Sequence, residues 1–451
     1  MNRHMRPLAV LAGARTPFCK AFTELASLTA VDLGIAALNG VLKQSGVMAN
    51  QLDEVIFGNV SGQPDSANLA RVIALRSGVP EDRIAHTVNR NCASGMESIL
   101  AAWHSLQYQP TGSGGNRQIG NIRLIAAGGT ESMSNIPMFL GQDATNFWIK
   151  LAKTKTLIQK LQVLGAFRPR MLKPVIGIEL GLTDPVSKMN MAETAELLAS
   201  DFAISRNEQD EFAMTSHHRA IAAATRCFMS GEIVPIAGPI QDVQDNGPRP
   251  GQTIEQLAKL RPLFRSAGGT VTAGNSCPLT DGAAVLIVAD ADAVAANRSG
   301  TTEMPLPETP LGYITDYAIA GCDPRRMGLG PVFAIAKLLR RTGLKLQDFD
   351  RIEINEAFAA QVIACRRAAA SATFCRDHFG MTEPLGLLDP SRTNVNGGAI
   401  ALGHPVGTSG TRLVLTLLRE LRAAGMRRGL ATLCVGGGQG VAIIVETDRE
   451  R

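Results

Sequence analysis

The sequence predicts an α/β protein built around a buried sheet, and three observations carry that expectation. Short β-branched or apolar runs recur along the chain, several of them closed by glycine. Amphipathic stretches of helical length lie between them. A weak echo of the order of these elements returns in the second part of the chain.

Taken in order, EVIFGNV (54–60) reads as a buried strand. NRNCASGMESI (89–99) then places Cys92 just ahead of an apolar run in which Met96, Ile99, Leu100 and Trp103 follow helical spacing, so a helix is expected through about residue 107. Ser94 followed by Glu97 fits a capping box, which starts the helix two residues past the cysteine. Free backbone N–H groups and the positive end of the helix dipole then favour a Cys92 thiolate, the nucleophilic form. Read from spacing alone, Cys92 is either that nucleophile or a small buried cysteine.

IRLIAAGG (122–129) and AAVLIVA (283–289) read as further strands, with helical stretches at 192–199 and 208–224 between them. RIEINEA (351–357) follows a helix at 331–342 and ends in Asn355 and Glu356, polar residues that mark a site or cap the next helix. Among the histidines, His404 stands apart: NVNGGAIALGHPVGTSGTR (394–412) surrounds it with glycines that let a substrate approach the backbone. ATLCVGGGQG (431–440) puts Cys434 at a strand end before a glycine turn. No GxxxxGK[ST] is present and GxGxxG fails, so a nucleotide reading has weak support; the turn's N–H groups can instead line an oxyanion hole.

Composition bounds the function classes. Of 451 residues, 45% are apolar and 19% charged, which is enough for a large core. A net charge of +5 with 4% aromatics argues against a nucleic-acid binder. The eight cysteines form no CxxC pair and no zinc spacing, so no metal is expected, and with no secretory leader visible the expected location is the cytoplasm. The stretch 144–178 differs from its surroundings: it holds five Lys and two Arg with no acid. Trp148, Leu151, Ile158, Leu161 and Leu164 fall on one helical face, giving either an insertion helix with a solvated basic side or a docking surface for an anionic membrane or a partner.

NRNCASGMESI, INEAFA, NGGAIALGHPVGTSGTR and CVGGGQG, in this order, resemble the signature blocks of the thiolase family. RTPF (15–18), GGTESMS (128–134), SRNEQDEFA (205–213) and GTVTAGNSCPLTDGAA (269–284) extend the resemblance over nearly the whole chain. It implies two similar βαβαβαββ halves stacked as five α-β-α-β-α layers. The expected halves are 1–298, with a loop domain at about 130–268, and 311–451, joined by a linker at 299–310.

The resemblance also implies CoA-dependent cleavage of a 3-oxoacyl-CoA through a Cys92 acyl-enzyme, as in fatty-acid β-oxidation. Cys92 would be the nucleophile, His404 its base, Cys434 the second acid–base group, Asn355 the holder of a water at the enolate oxygen, and the N–H groups of Cys92 and Gly436 an oxyanion hole. Substrate contacts would come from Met191, Ser276, Cys277, Met327 and Phe358. Coenzyme A is then a co-substrate, with no permanently bound cofactor. Cys277 stands where the family commonly has serine, and Asn190 where short-chain biosynthetic members have histidine. The 144–178 stretch resembles the β subunit of trifunctional fatty-acid oxidation complexes, which implies longer acyl chains, peripheral membrane contact and a hydratase/dehydrogenase partner. A homodimer or tetramer is expected. The alternatives are an acetyl-CoA C-acetyltransferase forming acetoacetyl-CoA and, from another class, a non-catalytic lipid-binding relative.

Overall fold

The structure, a computed structural model, describes residues 6–107, 123–236, 243–264, 268–296, 306–307 and 309–448. Most of the expected linker at 299–310 lies outside these residues, as does the first residue of the strand expected at 122–129.

Twelve strands are described: β1 (Leu8–Arg15), β2 (Cys19–Lys20), β3 (Leu52–Gly58), β4 (Ile84–Val88), β5 (Leu124–Glu131), β6 (Met138–Leu140), β7 (Pro174–Ile176), β8 (Thr280–Asp290), β9 (Gly312–Gly321), β10 (Arg351–Ile354), β11 (Arg428–Val435) and β12 (Gln439–Glu446). The sheet runs β10-β11-β12-β9-β1-β8-β5-β3-β4, with β2 beside β8. The duplication heard faintly in the sequence is explicit in the pairing. From β4 through β3, β5 and β8 to β1, the pairings are parallel, parallel, antiparallel, antiparallel. From an isolated parallel bridge at Thr393–Ile352 through β10, β11 and β12 to β9, the same series returns. The halves join where Leu8–Val10 pair antiparallel with Gly312–Ile314.

Strand alternation separates three apolar cores. Val55 and Phe57 pack outward against the helices Ala30–Ser45 and Leu69–Arg76. Ile56, Leu433, Val441 and Ile443 face a central core with the helices Ser94–Gln107 and Ser409–Ala423. Leu430 and Ile444 face the helices Gly330–Thr342 and Ala359–Ala370. The result is the expected α-β-α-β-α stack.

The two central helices touch at their N-termini. A methyl group on Gly410 would lie 2.4 Å from the Met96 nitrogen, and one on Gly95 2.7 Å from Thr411 Oγ1. Only glycine permits this approach, and it brings the loop of Cys92 and the loop of His404 to one place.

Two sequence expectations are corrected. The Ser94–Glu97 capping box does not form: Ser94 Oγ accepts from Arg90 N at 2.9 Å and donates to the Asn91 carbonyl, while Glu97 pairs with the Arg90 guanidinium at 2.6 Å. A charge-assisted pair outcompetes the reach back to a neutral N–H. The basic stretch is not one helix but two, Gln142–Lys153 and Leu157–Leu164, broken at Thr154–Thr156, where Thr156 caps the second. β6 and β7 close its base as an antiparallel pair.

Candidate active site

Cys92 lies two residues before its helix, in a loop whose Asn91 adopts φ 45°. That left-handed conformation is secured on both sides: Asn91 N donates to Asn89 Oδ1, and Asn91 Nδ2 donates to the Gly436 carbonyl at 2.8 Å. The second bond ties the cysteine loop to the turn between β11 and β12, in which Gly437 and Gly438 take φ of 87° and 82°. A side chain at Gly438 would strike the Cys322 carbonyl, so this turn demands glycine.

The turn places the Gly436 N–H at the Cys92 sulfur. Burial raises the Cys92 pKa above its ordinary value, the N–H groups of Gly436 and of Cys92 itself work against it, and the Glu131 carboxylate adds to the rise. The helix-end argument for a resting thiolate therefore loses to desolvation.

Cys434, at the end of β11, is buried, and its pKa is pushed well up, first by burial and then by the neighbouring Cys92, Cys365 and Cys277. Cys277 is pushed up to about 12 by burial and by Cys92. Three of the sulfurs named from sequence thus share one neighbourhood.

His404 is buried, and its Nδ1 meets Ser409 Oγ at 2.5 Å, while its Nε2 has no hydrogen-bond partner among the described residues. Burial, with the Arg412 charge, lowers its pKa to about 4, so the imidazole is neutral across the physiological range. Asn355 is fully buried, with both side-chain polar atoms unpartnered. Its backbone N–H completes the sheet to the Thr432 carbonyl, and the following helix has Phe358 at its N-cap, so Asn355 does not serve as a cap. A fully buried amide with four unused hydrogen-bonding positions is placed to hold something else.

The remaining predicted residues spread around this cluster. The Met191 sulfur lies 3.6 Å from where a Gly436 side chain would begin. Cys277 N donates to the Ala357 carbonyl, and Ser276 bridges Phe358 while its hydroxyl turns to the Thr272 carbonyl. Met327 and Phe358 are buried in the outer core of the second half.

Sequence reading assigned no bracing role to the residues that hold the site, although Glu356 stood out beside Asn355 as a site marker or cap. Ser409, five residues after His404, was visible inside the quoted block but had no assigned purpose. Glu131 accepts from the N–H groups of Val60, Ser61 and Gly407, pinning the His404 loop to the first half. Glu356 accepts from Ser216 Oγ at 2.6 Å, Asn394 Nδ2 at 2.8 Å and Ile400 N at 3.2 Å, which fixes the strand end carrying Asn355. Asn91, in the sequence simply the cysteine's neighbour, carries the left-handed turn and the bond to Gly436.

A duplicated five-layer α/β fold with cysteine loops and a buried neutral histidine meeting at the inner helix ends defines a class, and the chain belongs to the thiolase family. The family models "Thiolase, N-terminal domain" and "Thiolase, C-terminal domain" match residues 8–292 and 308–447. The chain is 36% identical over 447 residues to a 3-ketoacyl-CoA thiolase of Klebsiella pneumoniae, covering 98% of this chain and 97% of that one. It is also 36% identical to the mitochondrial trifunctional enzyme subunit beta of Bos taurus, covering 98% and 89%. Human mitochondrial 3-ketoacyl-CoA thiolase in complex with CoA superposes with a TM-score of 0.81 at 36% identity, over 98% of each chain. An acetyl-CoA acetyltransferase of Bacillus anthracis superposes with a TM-score of 0.80 at 33% identity, over 99% of this chain and 100% of that one.

Proposed function

We propose that the protein is a 3-ketoacyl-CoA thiolase, an acyltransferase that cleaves 3-oxoacyl-CoA with CoA to acetyl-CoA and an acyl-CoA two carbons shorter. The observation that carries this reading is the shared neighbourhood of Cys92, Cys434 and the Gly436 N–H, with a neutral His404 on the loop brought alongside.

In this reading Cys92 Sγ attacks the C3 carbonyl carbon and His404 Nε2 takes the thiol proton. With a raised thiol pKa and a lowered imidazole pKa, a free ion pair is disfavoured, so the proton leaves as the carbon–sulfur bond forms. The C2–C3 bond then breaks, leaving an acyl group on Cys92 and the enolate of acetyl-CoA. His404 and a water held by Asn355 stabilise the enolate oxygen, and Cys434 protonates C2. The Cys434 thiolate next removes the proton of an incoming CoA thiol. CoA sulfur attacks the acyl thioester, its oxyanion is held by the N–H groups of Cys92 and Gly436, and acyl-CoA leaves as Cys92 regains its proton from His404.

Two readings of the particular substrate are separated by one experiment. Relatives named 3-ketoacyl-CoA thiolase and trifunctional enzyme subunit beta, together with the insertion at 142–164, favour long or broad chain length; the acetyl-CoA acetyltransferase neighbour keeps the C4 reading open. Thiolysis rates on C4 and C16 3-ketoacyl-CoA are expected to favour or include C16, and activity confined to C4 would reject the preference. Cys92→Ser is expected to lose at least about 10³-fold in kcat through loss of the nucleophile; undiminished turnover would exclude the covalent route. The chain is further proposed to act in the cytoplasm as a homodimer or tetramer and to bind a hydratase/dehydrogenase subunit.

A further inference from the structure

Away from the cysteines, a cavity of 460 Å³ opens between the helices Arg206–Thr225 and Ala359–Ala370 and the loop 387–394. Its volume is in the range of small-molecule sites, about 300–1,000 Å³. Phe212, Val362, Ile363 and Leu387 supply apolar wall.

Arg366 supplies the charge. Its guanidinium makes no hydrogen bond or ion pair among the described residues. Burial lowers its pKa; Asp389 opposes this, and the positive charges of Arg219 and Arg367 add to the lowering. The acids lining the cavity are already engaged. Glu208 pairs with Arg367, Glu211 accepts from Asn207 at 2.7 Å, and Glu356 is held by Ser216 and Asn394. Arg219 is spent on the carbonyls of Thr393 and Pro390. Asp389 is turned to the Ser391 N–H and hydroxyl. Asp389 also lies 3.8 Å from the Arg392 guanidinium, so it acts on Arg366 only through its field. A half-buried guanidinium that bonds no anion directly is costly, and a planar two-oxygen anion satisfies its fork.

We propose that this cavity is a second ligand site, separate from the cysteine cluster, for a small amphipathic carboxylate whose head pairs with Arg366 and whose apolar body lies on Ile363 and Leu387. Calorimetric titration of the full chain with sodium octanoate, at saturating CoA, tests it. Saturable one-site binding is expected, weakened at least ten-fold by Arg366→Gln and at least ten-fold for octanol on the unaltered protein. Arg366→Gln itself should melt no lower than the parent and keep its thiolysis rate, since it removes a charge that burial and the neighbouring Arg219 and Arg367 disfavour and that makes no direct ion pair. No saturable octanoate binding, equal affinity in Arg366→Gln, or equal affinity for octanol would each overturn the assignment. The octanol comparison uses only the unaltered protein, so the test survives a variant that fails to fold.

Discussion

At the scale of single residues, the site works by removing charge rather than by storing it. Cys92, Cys277 and Cys434 are all shifted towards the thiol, and His404 towards the neutral base. What is left to tune is direction, and Ser409 sets it by engaging Nδ1 of His404 and leaving Nε2 free. Ser409→Ala should lower kcat about 10- to 100-fold, part of the about 10²–10⁴ that a placed acid–base group supplies. KM should move little, and steady-state kinetics separates the two.

The same burial predicts a pH effect on stability. An unfolded His404 takes a proton near 6.5, while the folded one waits until about 4. Below pH 6.5 the unfolded chain therefore binds more protons, so this residue's contribution is constant above that pH and erodes as pH falls towards 4. The gap of 6.5 minus 4 corresponds to at most about 3 kcal/mol. Glu353, pushed up to about 8 chiefly by burial, acts in the opposite sense between its ordinary value and 8. The clean comparison is therefore His404→Gln against the parent in denaturant melts from pH 7 to 4, with the variant expected to lose less stability. His404 could be picked out in the sequence by the glycines around it, and Cys92 by its place just ahead of a helix and by the thiolase-like block that holds it. Their protonation states could not, because desolvation depends on what packs around them.

At the scale of elements, the insertion departs most from globular habit. Leu157, Ile158 and Leu161 are 74%, 71% and 60% exposed, beside Met138, Leu172 and Leu180 at 69%, 68% and 58%. Contiguous exposed apolar side chains of this kind mark an interaction surface, and the Lys and Arg residues of the same stretch suit an anionic one. Replacing Leu157, Ile158 and Leu161 together by serine should reduce co-sedimentation with vesicles containing anionic phospholipid by at least about five-fold, in line with loss of buried apolar area. Thiolysis of a C4 substrate should be unaffected. Equal sedimentation of parent and variant would remove the membrane reading. The helical face expected from 148 to 164 combined the right residues with the wrong geometry. Periodicity continues across Thr154–Thr156, but the non-helical residues there and the Thr156 cap divide the stretch between two helices.

At the scale of the whole molecule, β4 leaves one edge of the sheet unpaired among the described residues, with Ile84 59% exposed on it. Open apolar strand edges are normally covered. Light scattering behind gel filtration should report a mass of at least two 47.8 kDa chains, and Ile84→Lys should shift it towards one; a monomeric parent would refute the oligomer.

The chain by itself determined the α/β class and the strands around 54–60, 283–289 and 431–438, because periodicity is a local property, and it singled out positions 92, 355, 404 and 434 as candidates whose roles came from the resemblance of their blocks to the thiolase family. Only the tertiary structure decided that β9 and β12 complete a second copy of the first half's pairing. It also decided that Ser94 serves Arg90 rather than a capping box, and that Asn91, Glu131, Glu356 and Ser409 hold the reactive groups. Those assignments depend on partners tens to hundreds of residues away, and on which buried atoms lose water, and a one-dimensional pattern carries neither.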